Sequence, residues 1–167
     1  TNLDGNTYTH LVGDVLREIA RHGLRKVCFL NGHFENQWFL TEGIDVTVRQ
    51  LAIKDLKVVR IEYWDVLDEA TVNAIFPEGL NIQFEHAAAL ETSLMMHLFP
   101  DSVRTDRIPS EPTHEYPPYD IFPADPQWGP ESGSLSPAHT ASADKGKSLI
   151  ESIVPGVADA LVHAFSR

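Results

Sequence analysis

Val27-Cys28-Phe29-Leu30-Asn31-Gly32-His33-Phe34-Glu35-Asn36 is the stretch on which the reading of this chain turns. Four apolar residues in a row predict a short strand buried on both faces, as in a parallel sheet. Asn31-Gly32 then breaks the strand, because glycine lets the backbone take a tight conformation. The polar residues that follow stand at the carboxyl end of the strand, where open parallel α/β sheets bind their ligands.

Upstream, Leu11, Val12, Val15, Leu16 and Ile19 recur at helical spacing and predict a helix from Thr7 to His22. Asn6 or Thr7 is the expected cap, and Gly23 is expected at positive φ past its end. Downstream, a second helix is predicted from Gln37 to Leu51, with Phe39, Leu40, Ile44 and Val48 on its inner face, and a second strand from Leu56 to Tyr63. Helix, strand, helix, strand with short connections implies a parallel sheet flanked by helices.

A weaker helix is expected from about Val66 to Ala74, capped by Asp65 and closed by Phe76-Pro77-Glu78-Gly79. A stronger one begins near Glu85 and reaches Leu98. From about 108 to 138 the chain is crowded with Pro, Gly, Ser and Asp, which predicts a long loop. Its aromatic residues Tyr116, Tyr119, Phe122 and Trp128 argue for an ordered one. A last helix, from roughly Ser142 to Phe165, should kink or break at Pro155-Gly156. Two strands are few for so many helices. Either further strands lie in the loop region, or N-terminal strands belong to a part of the protein outside this chain; the expectation is an α/β protein whose 167 residues form a single partial domain.

The composition, 43% hydrophobic and 22% charged, is that of a soluble globular domain. No apolar run reads as a membrane span and no N-terminal stretch as a secretory signal, so no membrane partner is expected. The single cysteine, Cys28, cannot form an internal disulfide, and a cytoplasmic location follows as the default. A net charge of −11 argues against nucleic-acid binding, which needs clustered Lys and Arg.

His33 and Glu35 lead the candidate chemistry. Two residues apart in an extended turn, they project to one side and offer an imidazole and a carboxylate, suitable ligands for Zn or Mn. On spacing alone, a loop histidine followed by a first-turn carboxylate explains them as well. Glu85-His86, at the expected start of a helix, can serve as ligand and general acid/base, with Ala87, Ala88 and Ala89 leaving room behind. A charged first turn is the plainer alternative. Glu91 fits either a site or the polar face of that helix. Trp64 follows the second strand and fits either an aromatic wall for a planar ligand or a core or interface tryptophan. Cys28 lies in the strand, where a thiol is inert, and His114 and His139 read as surface residues. No nucleophile elbow, P-loop or dinucleotide fingerprint is present.

Taken in order along the chain, these segments resemble the creatininase (creatinine amidohydrolase) family. The resemblance is carried by Leu30-Asn31-Gly32-His33-Phe34-Glu35-Asn36, Thr41-Glu42-Gly43-Ile44-Asp45 and Tyr63-Trp64-Asp65. It continues through Pro77-Glu78-Gly79, Glu85-His86, Glu91-Thr92-Ser93-Leu94-Met95 and Pro117-Pro118-Tyr119-Asp120, then Thr140-Ala141-Ser142 with Lys145-Gly146. It implies a three-layer α/β/α sandwich with a mostly parallel sheet, assembled as a homohexamer. It further implies a centre of two divalent metal ions, Zn and/or Mn, with His33 on one and Glu35 on the other. Glu85 and His86 are then the catalytic pair, His86 as proton shuttle, with Trp64 beside a small-molecule amide. The implied reaction is hydrolysis of a cyclic amide, creatinine to creatine, by metal-activated water.

The resemblance also marks departures. The family's Glu-x-His pair and bridging Asp correspond to a region upstream of this chain's first residues, so the fragment by itself is expected to be inactive. Phe34 stands where creatininase has Tyr, Ile82 and Gln83 where it has Trp and Asp, and Ala87-Ala88 where it has Gly-Gly. Phe34, Trp64, Ile82 and Gln83 are accordingly the expected substrate-binding residues. The departures leave open another amide or formamide as substrate, or a non-catalytic scaffold.

Overall fold

A computed structural model describes residues 3–113, 115–123 and 129–166. His114 and Trp128, both noted in the sequence, lie outside the described residues. Contacts group the chain into two compact units, one of Thr1–Val66 with Gly156–Arg167 and one of Leu67–Pro155.

The first unit follows the order read from the sequence: α1 (Gly5–Arg21), β1 (Lys26–Asn31), α2 (Asn36–Leu51) and β2 (Lys57–Glu62). β1 and β2 pair in parallel, from Lys26 opposite Lys57 to Asn31 opposite Glu62. Among the described residues the sheet has these two strands. That pairing carries the chain up β1, down through α2 and back into β2 in the same direction. It leaves the turn after Asn31 at the carboxyl edge of the sheet.

Several local expectations are corrected. Asp4 occupies the cap position of α1, so Asn6 and Thr7 sit inside its first turn. Gly23 takes φ +87 as expected, the left-handed conformation that closes a helix. Leu11 and Val15 are 47% and 41% exposed, whereas Val12, Gly13, Leu16 and Ala20 are buried. The reason is the helix partner. A side chain added at Gly43 of α2 would stand 2.8 Å from the Thr9 carbonyl oxygen and 2.9 Å from Val12 Cβ. This close approach turns the small-residue side of α1 toward α2. On α2 the same contact buries Leu40, Gly43 and Thr47, while Phe39 stays 41% exposed. In β1, Val27 and Asn31 are buried but Leu30 is 57% exposed, so the strand is not covered on both faces. A two-stranded sheet offers each strand only one hydrogen-bonded neighbour, and much of its surface stays open.

The second unit contains α3 (Glu69–Ile75) and α4 (Ala89–Leu98), with short 3-10 turns at Ile82–Phe84, Pro100–Ser102 and Thr105–Arg107. Asp68, not Asp65, caps α3, accepting the Thr71 N–H at 2.7 Å. α5 (Ala143–Ser166) runs through Pro155, so of the expected kink or break the break does not occur. Proline removes one N–H from the helical ladder, and here the helix carries through that loss. Leu149 and Ile153 of α5 are buried, as are Val72, Phe76 and Leu90.

By length and composition α5 would suffice to cross a membrane, with a mean hydropathy of 1.3 over its most apolar window. This corrects the reading that no such run exists. Its buried residues are Gly146, Leu149 and Ile153, and most of its apolar stretch is not buried. At its far end, Lys26 and Lys57, opposite each other in the strand pair, donate to the carbonyls of Phe165 (2.8 Å) and Ala164 (3.2 Å). Cations at a helix C-terminus satisfy its free carbonyls and meet its dipole.

The closeness of α1 and α2 predicts that Gly43→Ala lowers stability by about 1–3 kcal/mol through overpacking. Urea unfolding at fixed pH measures it. An unchanged midpoint would mean that the helices can separate at no cost.

Candidate functional site

The turn that follows β1 is shaped by one side chain. Asn31 is 3% exposed, and its amide grips the backbone of His33 from both sides. Nδ2 donates to the His33 carbonyl at 2.8 Å, and Oδ1 accepts the His33 N–H at 3.3 Å. Oδ1 also faces Asn36 Nδ2 at 3.4 Å, tying the turn to the first residue of α2. Such a closed turn holds the side chains of residues 33 and 35 on the same side. His33 Nε2 and Glu35 Oε2 lie 2.8 Å apart, with side chains 43% and 54% accessible.

An imidazole nitrogen and a carboxylate oxygen at this spacing, reachable from solvent, make a donor set suited to a divalent ion. These residues border a cavity of about 670 Å³, lined also by Asp4, Gly5, Tyr8, Asn36 and Phe39. Burial pushes the Tyr8 phenol above its ordinary value. Asp4 and Tyr8 were not singled out in the sequence, and Phe39 was expected on the inner face of its helix. They belong to helix starts or to an outward helical face, where polar and aromatic residues are ordinary.

In the second unit Glu85 and His86 do not open a helix; α4 starts at Ala89. Ala88 is its cap residue and has no side-chain oxygen, so the N-terminal amides need another acceptor. Glu85 Oε1 supplies it, accepting from Leu90 N at 2.6 Å and Glu91 N at 3.3 Å. In return Glu91 Oε2 accepts from Ala87 N at 2.6 Å, across a residue with φ +51. The exchange works as a capping box set one turn upstream. Ala88 and Ala89 are buried and fill the packing rather than leaving space. Glu85 Oε2 is buried and has no hydrogen-bond partner among the described residues. Burial of Glu85 pushes its carboxyl up to about 7, against the two amides that favour the charged form and with the repulsion of Glu91. His86 is half-buried, and its carbonyl accepts from Leu135 N at 3.1 Å.

Of the expected substrate residues, Phe34 is 45% exposed and meets Trp38 edge-to-face at 5.6 Å. Trp64 meets Tyr63 edge-to-face at 5.0 Å. Ile82 and Gln83 lie in a 3-10 turn, where Gln83 N donates to Asn81 Oδ1 at 3.1 Å. His139 is exposed, as expected. Burial raises the Cys28 thiol, in keeping with an inert cysteine.

A parallel α/β unit with an imidazole–carboxylate pair at the carboxyl end of a strand is the arrangement of a ligand-binding α/β protein. The Creatininase family model, described as creatinine amidohydrolase, matches residues 1–161. Creatinine amidohydrolase of Pseudomonas putida is 48% identical over 170 aligned positions, covering 99% of this chain and 65% of that protein. A solved structure of creatininase with Mn superposes with a TM-score of 0.93 at 46% identity, covering all of this chain and 67% of the other. A mutant creatininase of Zn-Zn type does so with a TM-score of 0.94, also at 46% identity and with coverage of 100% and 67%. The chain therefore belongs to the creatininase family and has its α/β fold. It spans 65% of the length of the curated relative it matches.

Glu85 gives this site a measurable pH signature. The folded protein keeps the Glu85 proton up to about pH 7, whereas the unfolded chain releases it near the ordinary value of 4.5. Between these values the folded state binds more protons, so stability is complete at low pH and falls as pH rises. In metal-free protein the expected loss is on the order of 2 kcal/mol across that window, absent in Glu85→Gln. Denaturant unfolding at a series of pH values decides it; equal slopes in both proteins would place Glu85 in water.

Proposed function

We propose that the whole protein is a metal-dependent amidohydrolase that opens a small cyclic amide, creatinine to creatine. The observation that carries this reading is the His33–Glu35 pair, 2.8 Å apart at the carboxyl end of β1 in a creatininase-family chain. The name of the Pseudomonas putida relative supports creatinine as the substrate, and the Mn and Zn-Zn structures support two divalent ions.

In this reading His33 and Glu35 are metal ligands, one to each ion. Divalent ions held there would supply the chemistry of an acidified water and a polarised amide carbonyl. His86 protonates the departing nitrogen, and Glu85 orients that imidazole or carries its proton. A Glu85 carboxyl near 7 is suited to exchange protons at neutral pH. Phe34, Trp64, Ile82 and Gln83 bound the substrate, and residues 1–167 are part of one catalytic domain of a cytoplasmic homohexamer. Phe34 has no hydroxyl to hold a polar ring, and this favours, as a second reading, another amide of similar size.

The test is metal content together with ring opening of creatinine by the whole protein. Stoichiometric Zn or Mn with turnover is expected. Metal without creatinine turnover would direct the assay to other amides, and absence of bound metal would overturn the hydrolase reading. His86→Ala should lower turnover by about 10²–10⁴-fold while the metal stays bound. Loss of metal in that variant would make His86 a ligand instead.

A further inference from the structure

We infer that Glu62, held by Arg60, is a positioning residue for the metal-ligand turn: its buried carboxylate fixes the Asn31 amide that holds His33. The inference rests on the proposed role of His33 and Glu35 as ligands.

Glu62 is the last residue of β2, opposite Asn31 in the parallel register, and is 2% exposed. A carboxylate taken out of water is costly unless paired and hydrogen-bonded. Arg60 Nε lies 3.2 Å from Glu62 Oε1, and Asn31 Nδ2 donates to the same oxygen at 3.3 Å. Two residues apart on one strand, Arg60 and Glu62 share a face. The Arg60 guanidinium also reaches α2, donating to the Gln37 carbonyl at 3.2 Å and to Thr41 Oγ1.

The direction of control follows from donor and acceptor chemistry. An ionised carboxylate only accepts, so it must face the NH₂ side of the Asn31 amide and never its oxygen. With Nδ2 fixed toward Glu62, Oδ1 is fixed toward the His33 N–H and Asn36. Without Glu62 the amide is free to rotate, and the two bonds that hold the His33 backbone lose their common anchor. Arg60 neutralises the carboxylate and couples it to the first turns of α2, which begin directly after Glu35. Neither residue has the histidine or cysteine character by which a metal site is recognised in a sequence. Partners of this kind, one step behind the ligands, typically govern metal affinity by 10–100-fold.

The experiment is zinc titration of the metal-depleted protein against a chromophoric chelator, with thermal unfolding as a check on folding. Glu62→Ala is expected to weaken zinc binding by about 10–100-fold at temperatures where it is fully folded. Glu62→Gln keeps an acceptor oxygen for Asn31 and Arg60 and should recover most of that affinity. A purely structural role would lower the melting temperature of Glu62→Ala and leave its zinc affinity unchanged, and that result overturns the inference. So does a Glu62→Gln protein as weak as Glu62→Ala. Should Glu62→Ala not fold, Arg60→Met carries the test: it keeps the aliphatic stem, removes the partner charge and should also weaken zinc binding. Wild-type affinity there overturns the inference as well. His33→Ala separates the two levels. If it binds zinc like the wild type, the metal reading fails and the positioning role with it. If it loses zinc while folded Glu62→Ala does not, the positioning role alone fails.

Discussion

The candidate site depends on a buried amide. Asn31 ends β1, loses nearly all contact with water, and must satisfy both halves of its side chain inside the protein. It does so on the backbone of His33, on Asn36 and on Glu62. The strand end, the turn, the start of α2 and the end of β2 are thereby joined through one functional group. The parallel register makes this possible, because it sets Asn31 against Glu62. An exposed loop would leave His33 and Glu35 to many conformations; here the backbone between them is held, and only the side chains meet solvent.

The second unit solves a comparable problem differently. α4 begins with alanines that pack well and cap poorly, so the helix takes its N-terminal acceptor from Glu85. Glu85 caps the helix with one oxygen and buries the other, and that burial pushes its carboxyl up to about 7. The placement serves the local structure, and it is also the one that the proton chemistry proposed for Glu85 requires.

Much of this was legible in the sequence. The elements of the first unit, their order and the break at Asn31-Gly32 follow from apolar spacing and turn chemistry, and the His33–Glu35 pair stood out by residue type. The family could be recognised from motifs spread along the chain. What stayed hidden depends on partners distant in sequence. Leu11 and Val15 fit the helical stripe as well as Val12 and Leu16, and only the close approach at Gly43 selects between them. Glu85 looked like a first-turn residue because nothing local reveals that the backbone turns through positive φ at Ala87 before α4 starts. Pro155 signalled a break that the surrounding helix overrides. Glu62 read as one of 24 acidic residues, and only strand register shows it to be buried against Asn31.

Taken together, membership of the creatininase family, a held turn and a convergent imidazole and carboxylate are the grounds on which a metal centre is proposed at this strand end. The most direct test is anomalous diffraction from crystals of the protein grown with zinc or manganese. The account predicts anomalous density within about 2.0–2.2 Å of a ring nitrogen of His33 and a carboxylate oxygen of Glu35. Crystals in which the two side chains keep only each other, with the metal bound elsewhere or not at all, would contradict it.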